Sequence, residues 1–388
     1  MTTENAPKNI SLAIKYRPRS LKTVIGQDLA VQKIRGMVEA KTIPPTILLA
    51  GPYSSGKTTL ARLIALYANC EKLTPQGEPC RKCDSCKAMR SVIMGTGTHP
   101  DVKEIDAADK RKIEDMRNLQ EQAEYAPITR YKIFILDECH QITGPAWQAA
   151  LKTFEHPPGD SRFILCTTEP EKLPNTIRSR ATKFILRPIS PALTSKLLLR
   201  IGKKEGLNLT KKTRQEIAGV VNGHPRDALI LLESVVNYVR TAGKSVDIKK
   251  HLPTILRESA AAKPYLASQD YVSALFSLDL ALAFQAVNSV ENHTSFIDQI
   301  VLILHLLLTS WVDKKLTDRS KFWAVKNVQH VGREVALKHI QDINTMLKLL
   351  LSAQASIKSY TINAHAVLES VAIEAISIGK STWGKKRK

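Results

Sequence analysis

The stretch Gly51-Pro-Tyr-Ser-Ser-Gly56-Lys57-Thr58 constrains this chain more than any other. An apolar run, Ile47 to Ala50, precedes it and reads as a buried parallel strand. A helical pattern with Leu60, Leu63 and Ile64 on one side follows it. The spacing G-x4-G-K-T between a strand and a helix is that of a phosphate-binding loop. Its glycines let backbone N–H groups turn inward, and the helix N-terminus adds partial positive charge. Gly51, Pro52, Ser54, Ser55, Gly56, Lys57, Thr58 and Thr59 are therefore the expected phosphate contacts. Lys57 is expected to reach the β- and γ-phosphates, and Thr58 to ligate Mg²⁺.

Such a loop needs an acidic partner. Lys132 to His140 reads K-I-F-I-L-D-E-C-H, a second buried strand with Asp137 and Glu138 at its C-terminal end, where α/β sheets bind ligands. Asp137 is expected to hold Mg²⁺, and Glu138 to orient or deprotonate the attacking water. A third strand, within R-F-I-L-C-T-T-E-P, ends on Thr167 and Thr168, either of which can bond that water. Arg178 and Arg180 lie on a short polar stretch before the next strand, and Arg226 starts a later helix. From the residues alone these arginines suit either phosphate contacts or surface salt bridges.

Lys and Arg exceed Asp and Glu enough to give a net charge of +21, which points to a polyanionic partner such as nucleic acid. With aromatics at 5%, backbone tracking is expected in place of base reading. The basic run Lys110-Arg111-Lys112 at a helix start is the candidate DNA contact, with a solvated helix start as the competing reading. Residues 1–10 carry no apolar run, and the longest apolar stretch, Ile300 to Leu308, is too short to span a bilayer. A cytoplasmic chain with no membrane partner is expected. Thiols stay reduced there, so Cys70, Cys80, Cys83 and Cys86, spaced C-x9-C-x2-C-x2-C, suit one tetrahedral zinc better than disulfides. The alternatives are four small core residues or a redox centre.

These pieces occur in a recognisable order. The chain resembles the clamp-loader ATPases of the AAA+ class, most closely the bacterial DNA polymerase III gamma/tau subunits. The resemblance rests on K-Y-R-P-R-S-L-K-T-V-I-G-Q-D (Lys15 to Asp28), H-P-D-V-K-E-I-D-A-A-D (His99 to Asp109), Y-A-P (Tyr125 to Pro127) and L-K-T-F-E-H-P-P (Leu151 to Pro158). The cysteine insert directly after the loop helix adds to it. The match is strong over roughly residues 12 to 240 and only a helical pattern beyond. It implies that the opening segment, with Arg17, Val24 and Ile25, packs on the adenine of ATP. It implies that Arg180 acts in trans on a neighbour's ATP, that Arg226 is the second sensor arginine, and that Thr168 holds the first sensor position. Ala181 stands where relatives carry a cysteine, and D-E-C-H where they carry D-E-V-H.

The expected fold is an α/β P-loop AAA+ domain with a parallel sheet at 1–190 and a zinc insert at 70–90. A helical lid at 191–252 and an all-α collar at 253–388, opened by Pro253, are expected to follow. The terminal W-G-K-K-R-K reads as a disordered basic end, without the long extension that distinguishes tau. The implied partners are other loader subunits in a ring of five, a sliding clamp, primer-template DNA and a replicative polymerase. A helicase of the D-E-x-H type is the runner-up, but it would need a second nucleotide-folded domain. A non-hydrolysing adaptor subunit would be expected to lose Lys57 or Glu138, and both are present.

Overall fold

Five short runs pair into one parallel sheet: β1 Thr46–Ala50, β2 Val102–Asp106, β3 Lys132–Asp137, β4 Ser161–Thr167 and β5 Thr182–Ile185. The spatial order is β2-β3-β4-β1-β5. Register is fixed by pairs such as Leu48↔Leu165 and Leu136↔Leu165. This computed structural model describes residues 10–383 apart from 111, 222, 244–246, 260, 291–292, 313–339 and 359–362. By contact density the chain forms two units, Met1–Leu193 with His224–Arg226, and Thr194–Gly223 with Asp227–Lys388.

In the first unit, strand alternation sends neighbouring side chains to opposite faces. Ile47, Leu49, Ile133, Ile135 and Ile164 meet the helices Asp28–Glu39, Lys57–Ala68 and Asp84–Met94. Leu48, Phe134, Leu136, Phe163 and Leu165 meet the helices Ile113–Glu124, Gly144–Glu155 and Asn175–Arg180. Phe134 and Phe163 stack at 5.3 Å, and Phe154 closes edge-on at 4.8 Å. With both faces covered, the central strands read as unbroken apolar runs. The edge strand β2 does not, because only Val102 and Ile105 of it are buried. Arg178 and Arg180 lie on the short helix Asn175–Arg180. The helix after Lys110 starts at Ile113, with Lys112 as its N-cap, so the basic run precedes the helix.

The second unit is helical in all its described elements. Its principal core gathers Tyr271, Phe296, Ile300, Leu350, Leu368 and Ala372 from four helices between Lys263 and Trp383. Tyr271, fully buried, meets its polar demand by donating to Leu368 O at 2.8 Å. Pro253 lies inside the helix Ile248–Glu258. The apolar stretch from Leu275 to Val287 is divided between the helices Lys263–Ser277 and Leu280–Asn288. Leu278 takes a left-handed φ of 59°, and Asp279 caps the next helix by accepting from Leu282 N. No helix among the described residues is long and apolar enough to cross a membrane.

Candidate nucleotide site and four-cysteine cluster

The loop after β1 is shaped by positions where side chains do not fit. A Cβ on Gly51 would come within 2.6 Å of Leu186 O. Gly56 has φ +97° and caps the helix Lys57–Ala68. Ser54 is also left-handed, at φ 62°. Lys57, though buried, bends back to Gly51 O at 3.0 Å and Pro52 O at 3.2 Å. Its ammonium thus uses loop carbonyls, a pairing that a polyphosphate would replace. Ser55 Oγ is buried without a hydrogen-bond partner. Thr59 is half-buried on the first helical turn, whose N–H groups lie outside the helix ladder. An orphaned hydroxyl, a coiled lysine and unpaired amides fit an anionic group.

The acidic element meets this loop at its end. Thr58 Oγ1 donates to Asp137 Oδ2 at 2.6 Å. Asp137 Oδ1 accepts from Glu138 N at 3.1 Å, and Glu138 adopts a strained φ of 46°. Thr168 Oγ1 lies 3.4 Å from Glu138 Oε2. Thr167 is fully buried and bonded to His140 Nδ1 at 3.2 Å and Glu169 N at 3.0 Å. His140 therefore sits among Thr167, Glu138 and Glu169, each within 3.4 Å. A hydroxyl and a carboxylate in contact, beside a second carboxylate, are the donor set of a hard cation next to a base.

Arg226 N donates to Ser54 Oγ at 2.9 Å, and its guanidinium lies 5.8 Å from the Tyr53 ring centre. His224 Nδ1 donates to Tyr53 O at 2.8 Å. Arg17 bonds Ile93 O at 3.1 Å. Burial, then the nearby Arg62, lowers the Arg17 pKa, with Arg226 adding to the effect against Glu104. Val24 and Ile25 are half-buried on the opening segment. Arg180, half exposed at 53%, pairs with Glu155 Oε2 at 2.6 Å. Lys110 and Lys112 are exposed, and Arg111 lies outside the described residues.

The cysteines converge. One Sγ from each of Cys70, Cys80, Cys83 and Cys86 lies within 4.8 Å of every other, and Cys80 and Cys86 are 3.9 Å apart. Zn–S bonds of about 2.3 Å give tetrahedral S–S edges of about 3.8 Å, so the set fits zinc. Backbone N–H groups of Cys83 and Lys82 lower the Cys80 thiol to about 6. Burial raises Cys70 and Cys86. Cys139 and Cys166, fully buried in the sheet, are raised by burial too.

Gln27 escaped the sequence reading. It bonds Ser55 O at 3.4 Å and both backbone groups of Arg187, tying the opening segment to the loop. Its signal was the preceding Gly26, which takes φ +74°. Arg62 was missed as well. It pairs with both carboxylate oxygens of Glu104 at 2.7 Å.

A sequence model of the family described as DNA polymerase III, delta subunit, matches residues 26–190. DNA polymerase III subunit gamma of Buchnera aphidicola subsp. Schizaphis graminum is 40% identical over 227 residues, 58% of this chain and 61% of that protein. The gamma/tau subunit of Mycobacterium tuberculosis is 34% identical over 282 residues, 72% of this chain and 47% of that protein. The chain thus spans about three-fifths and about half of those two proteins. Among solved structures, a variant of Thermotoga maritima RuvB aligns at a TM-score of 0.48 and 19% identity, over 67% of this chain and 79% of that one. The gamma subunit of Buchnera aphidicola subsp. Baizongia pistaciae is 32% identical over 342 residues, 86% of this chain and 87% of that protein. A match of that length runs through both units, and the chain belongs to the DNA polymerase III gamma/tau family.

Proposed function

We propose that this chain is the ATP-hydrolysing subunit of a clamp loader, turning over ATP to place a sliding clamp on primer-template DNA. The meeting of Thr58, Asp137, Glu138 and Thr168 beside the phosphate loop carries the reading. Lys57 pairs with the β- and γ-phosphates, and the loop amides with Ser54, Ser55 and Thr59 cradle them. Thr58 and Asp137 would hold Mg²⁺, which supplies charge neutralisation when bound. Glu138 takes the proton of the attacking water, and Thr168 orients that water. Arg226 senses the γ-phosphate in cis. Arg17, Val24 and Ile25 pack on the adenine. The four cysteines hold a structural zinc.

Arg180 reaches the ATP of the next subunit in a ring of five, so hydrolysis waits for assembly. Residues 191–252 act as a lid over the nucleotide and 253–388 as the ring-forming collar. Lys110, Arg111 and Lys112 track DNA phosphates, and the charge of +21 suits that partner. The setting is the cytoplasmic replication machinery, with the replicative polymerase as a further partner. The helicase reading loses ground because the second unit is helical in its described elements, with no second sheet among them.

The test is ATP turnover by this chain with its loader partners, with and without clamp and primed DNA, beside Arg180→Ala. Stimulation that disappears in the variant is expected. Turnover unmoved by clamp, DNA and Arg180 would sink the loader mechanism.

A further inference from the structure

The four-cysteine insert carries one residue whose contacts lead away from the metal and toward the nucleotide. Glu78 lies between Cys70 and Cys80 in a tight turn. Thr74 N donates to Glu78 O at 2.8 Å, Glu78 N donates to Thr74 Oγ1 at 3.2 Å, and Gly77 takes φ +70°. The cysteines pin this turn at one end, since Cys80 N donates to Cys70 Sγ at 3.2 Å. Its carboxylate faces inward. Glu78 Oε1 accepts from Arg35 Nη2 at 2.7 Å and lies 3.7 Å from Lys22 Nζ. Glu78 Oε2 accepts from the Tyr67 hydroxyl at 2.5 Å.

Tyr67 passes the contact on. Its ring is buried among the sheet-facing side chains, and its oxygen accepts from Leu21 N at 3.1 Å. Leu21 opens the short turn Leu21–Thr23, whose end bonds Val24 N back to Leu21 O at 3.3 Å. Two residues beyond Ile25, Gln27 clips the chain to the phosphate loop. The segment bearing Val24 and Ile25 is therefore fixed at both ends. One clip comes from the loop, and the other comes through Tyr67 from the insert. A second strut joins the same parts, as Arg81 Nη2 donates to Arg19 O at 3.1 Å.

We propose that Glu78 is a positioning residue for the nucleotide: it braces residues 20–25 from the cysteine insert, so the insert sets nucleotide affinity. This rests on the reading that Val24 and Ile25 pack on the base. The carboxylate makes three charge-assisted contacts in a largely buried setting, where such bonds are stronger than in water. A misplaced recognition segment costs binding without touching the phosphate contacts.

The experiment measures ADP affinity by fluorescence of a labelled analogue. It adds hydrogen exchange over residues 18–27 and zinc content, for wild type, Glu78→Ala, Tyr67→Phe and Lys57→Ala. Glu78→Ala and Tyr67→Phe are expected to weaken ADP binding about tenfold and to speed exchange around Leu21, with zinc retained. Glu78→Gln, which can still accept from Tyr67 and Arg35, should lose less affinity than Glu78→Ala. Glu78→Ala binding ADP within about twofold of wild type, or losing zinc, overturns the brace. Weakened binding with unchanged exchange around Leu21 overturns it equally. Wild-type protein that binds no ADP, and so matches Lys57→Ala, overturns the nucleotide reading along with it.

Discussion

Thr58 donates a 2.6 Å hydrogen bond to Asp137 across 79 residues of chain. The phosphate loop and the end of β3 are thus joined by a direct bond. Glu138 sits next to that pair but outside it. Glu138→Gln should therefore keep the pair and the loop while removing the proposed base. Stimulated turnover is expected to fall by roughly 10² to 10⁴, with labelled-nucleotide affinity unchanged. Thr58→Ala should instead raise the Mg²⁺ concentration that half-saturates turnover. Equal loss of binding and turnover in Glu138→Gln would mean the residue acts on the fold.

The phosphate loop and β3 were legible because each is a local word: glycine spacing, or an apolar run ending in two acids. The central strands were legible because both faces are covered, so polar residues are excluded from Ile47 to Ala50 and Ile133 to Leu136. β2 was hidden because an edge strand buries only Val102 and Ile105. Gln27 and Tyr67 were hidden for another reason. Their value lies in partners 28 and 46 residues away, and no local pattern announces such pairs. The break at Leu278 was masked by an apolar run that continues through it, although Asp279 is an N-cap residue in plain view.

Gly26 allows the opening segment to turn. A Cβ there would lie 2.6 Å from Ile189 Cγ2, at a φ of +74° that side chains resist. Gly26→Ala should cost on the order of 1–2 kcal/mol in strain and displace Gln27 from the loop. A lower melting temperature together with weaker ADP binding is expected. An unaltered melting curve would show that the turn relaxes freely.

Zinc should be a folding element of the first unit. Cys80→Ser removes one of four ligands, and the other three cannot close a tetrahedral site. The variant is expected to purify with less than stoichiometric zinc. It should melt at least about 5 °C lower. Acid should release the metal from the wild type, because protons compete for the thiolates. Full zinc retention in the variant would remove Cys80 from the ligand set.

Asp101 gives the first unit an acid limit. It is buried at 3% exposure and accepts from Ile128 N at 3.0 Å and Thr129 N at 2.6 Å. Burial alone would raise its carboxyl, but those two N–H groups, with His99 adding, hold it below the ordinary carboxylate range. Its stabilisation is therefore complete above the unfolded value of about 3.9 and is lost as pH falls through the folded value. Asp101→Asn should cost about 2–4 kcal/mol near pH 7. The melting temperatures of variant and wild type should converge as the pH drops toward 3. A constant gap across that range would show that shape, not charge, carries the effect.

Arg180 and Glu155 each end a helix, Asn175–Arg180 and Gly144–Glu155, and their 2.6 Å pair links the two ends. With Arg180 half exposed, the pair adds little to stability, about 1 kcal/mol or less. Under the proposed function its worth lies in aim: the half-buried carboxylate holds a long side chain proposed to reach across a subunit boundary. Arg180→Ala should lower stimulated turnover in the assembled ring by about 10³ or more, with ADP affinity and melting temperature unchanged. Glu155→Ala should leave the same two properties intact and lower stimulated turnover by a smaller factor, since the arginine remains but is no longer held. A rise in turnover on removing Glu155 would mean that the carboxylate competes with the neighbour's phosphate for Arg180, and the pair would then be a restraint on hydrolysis.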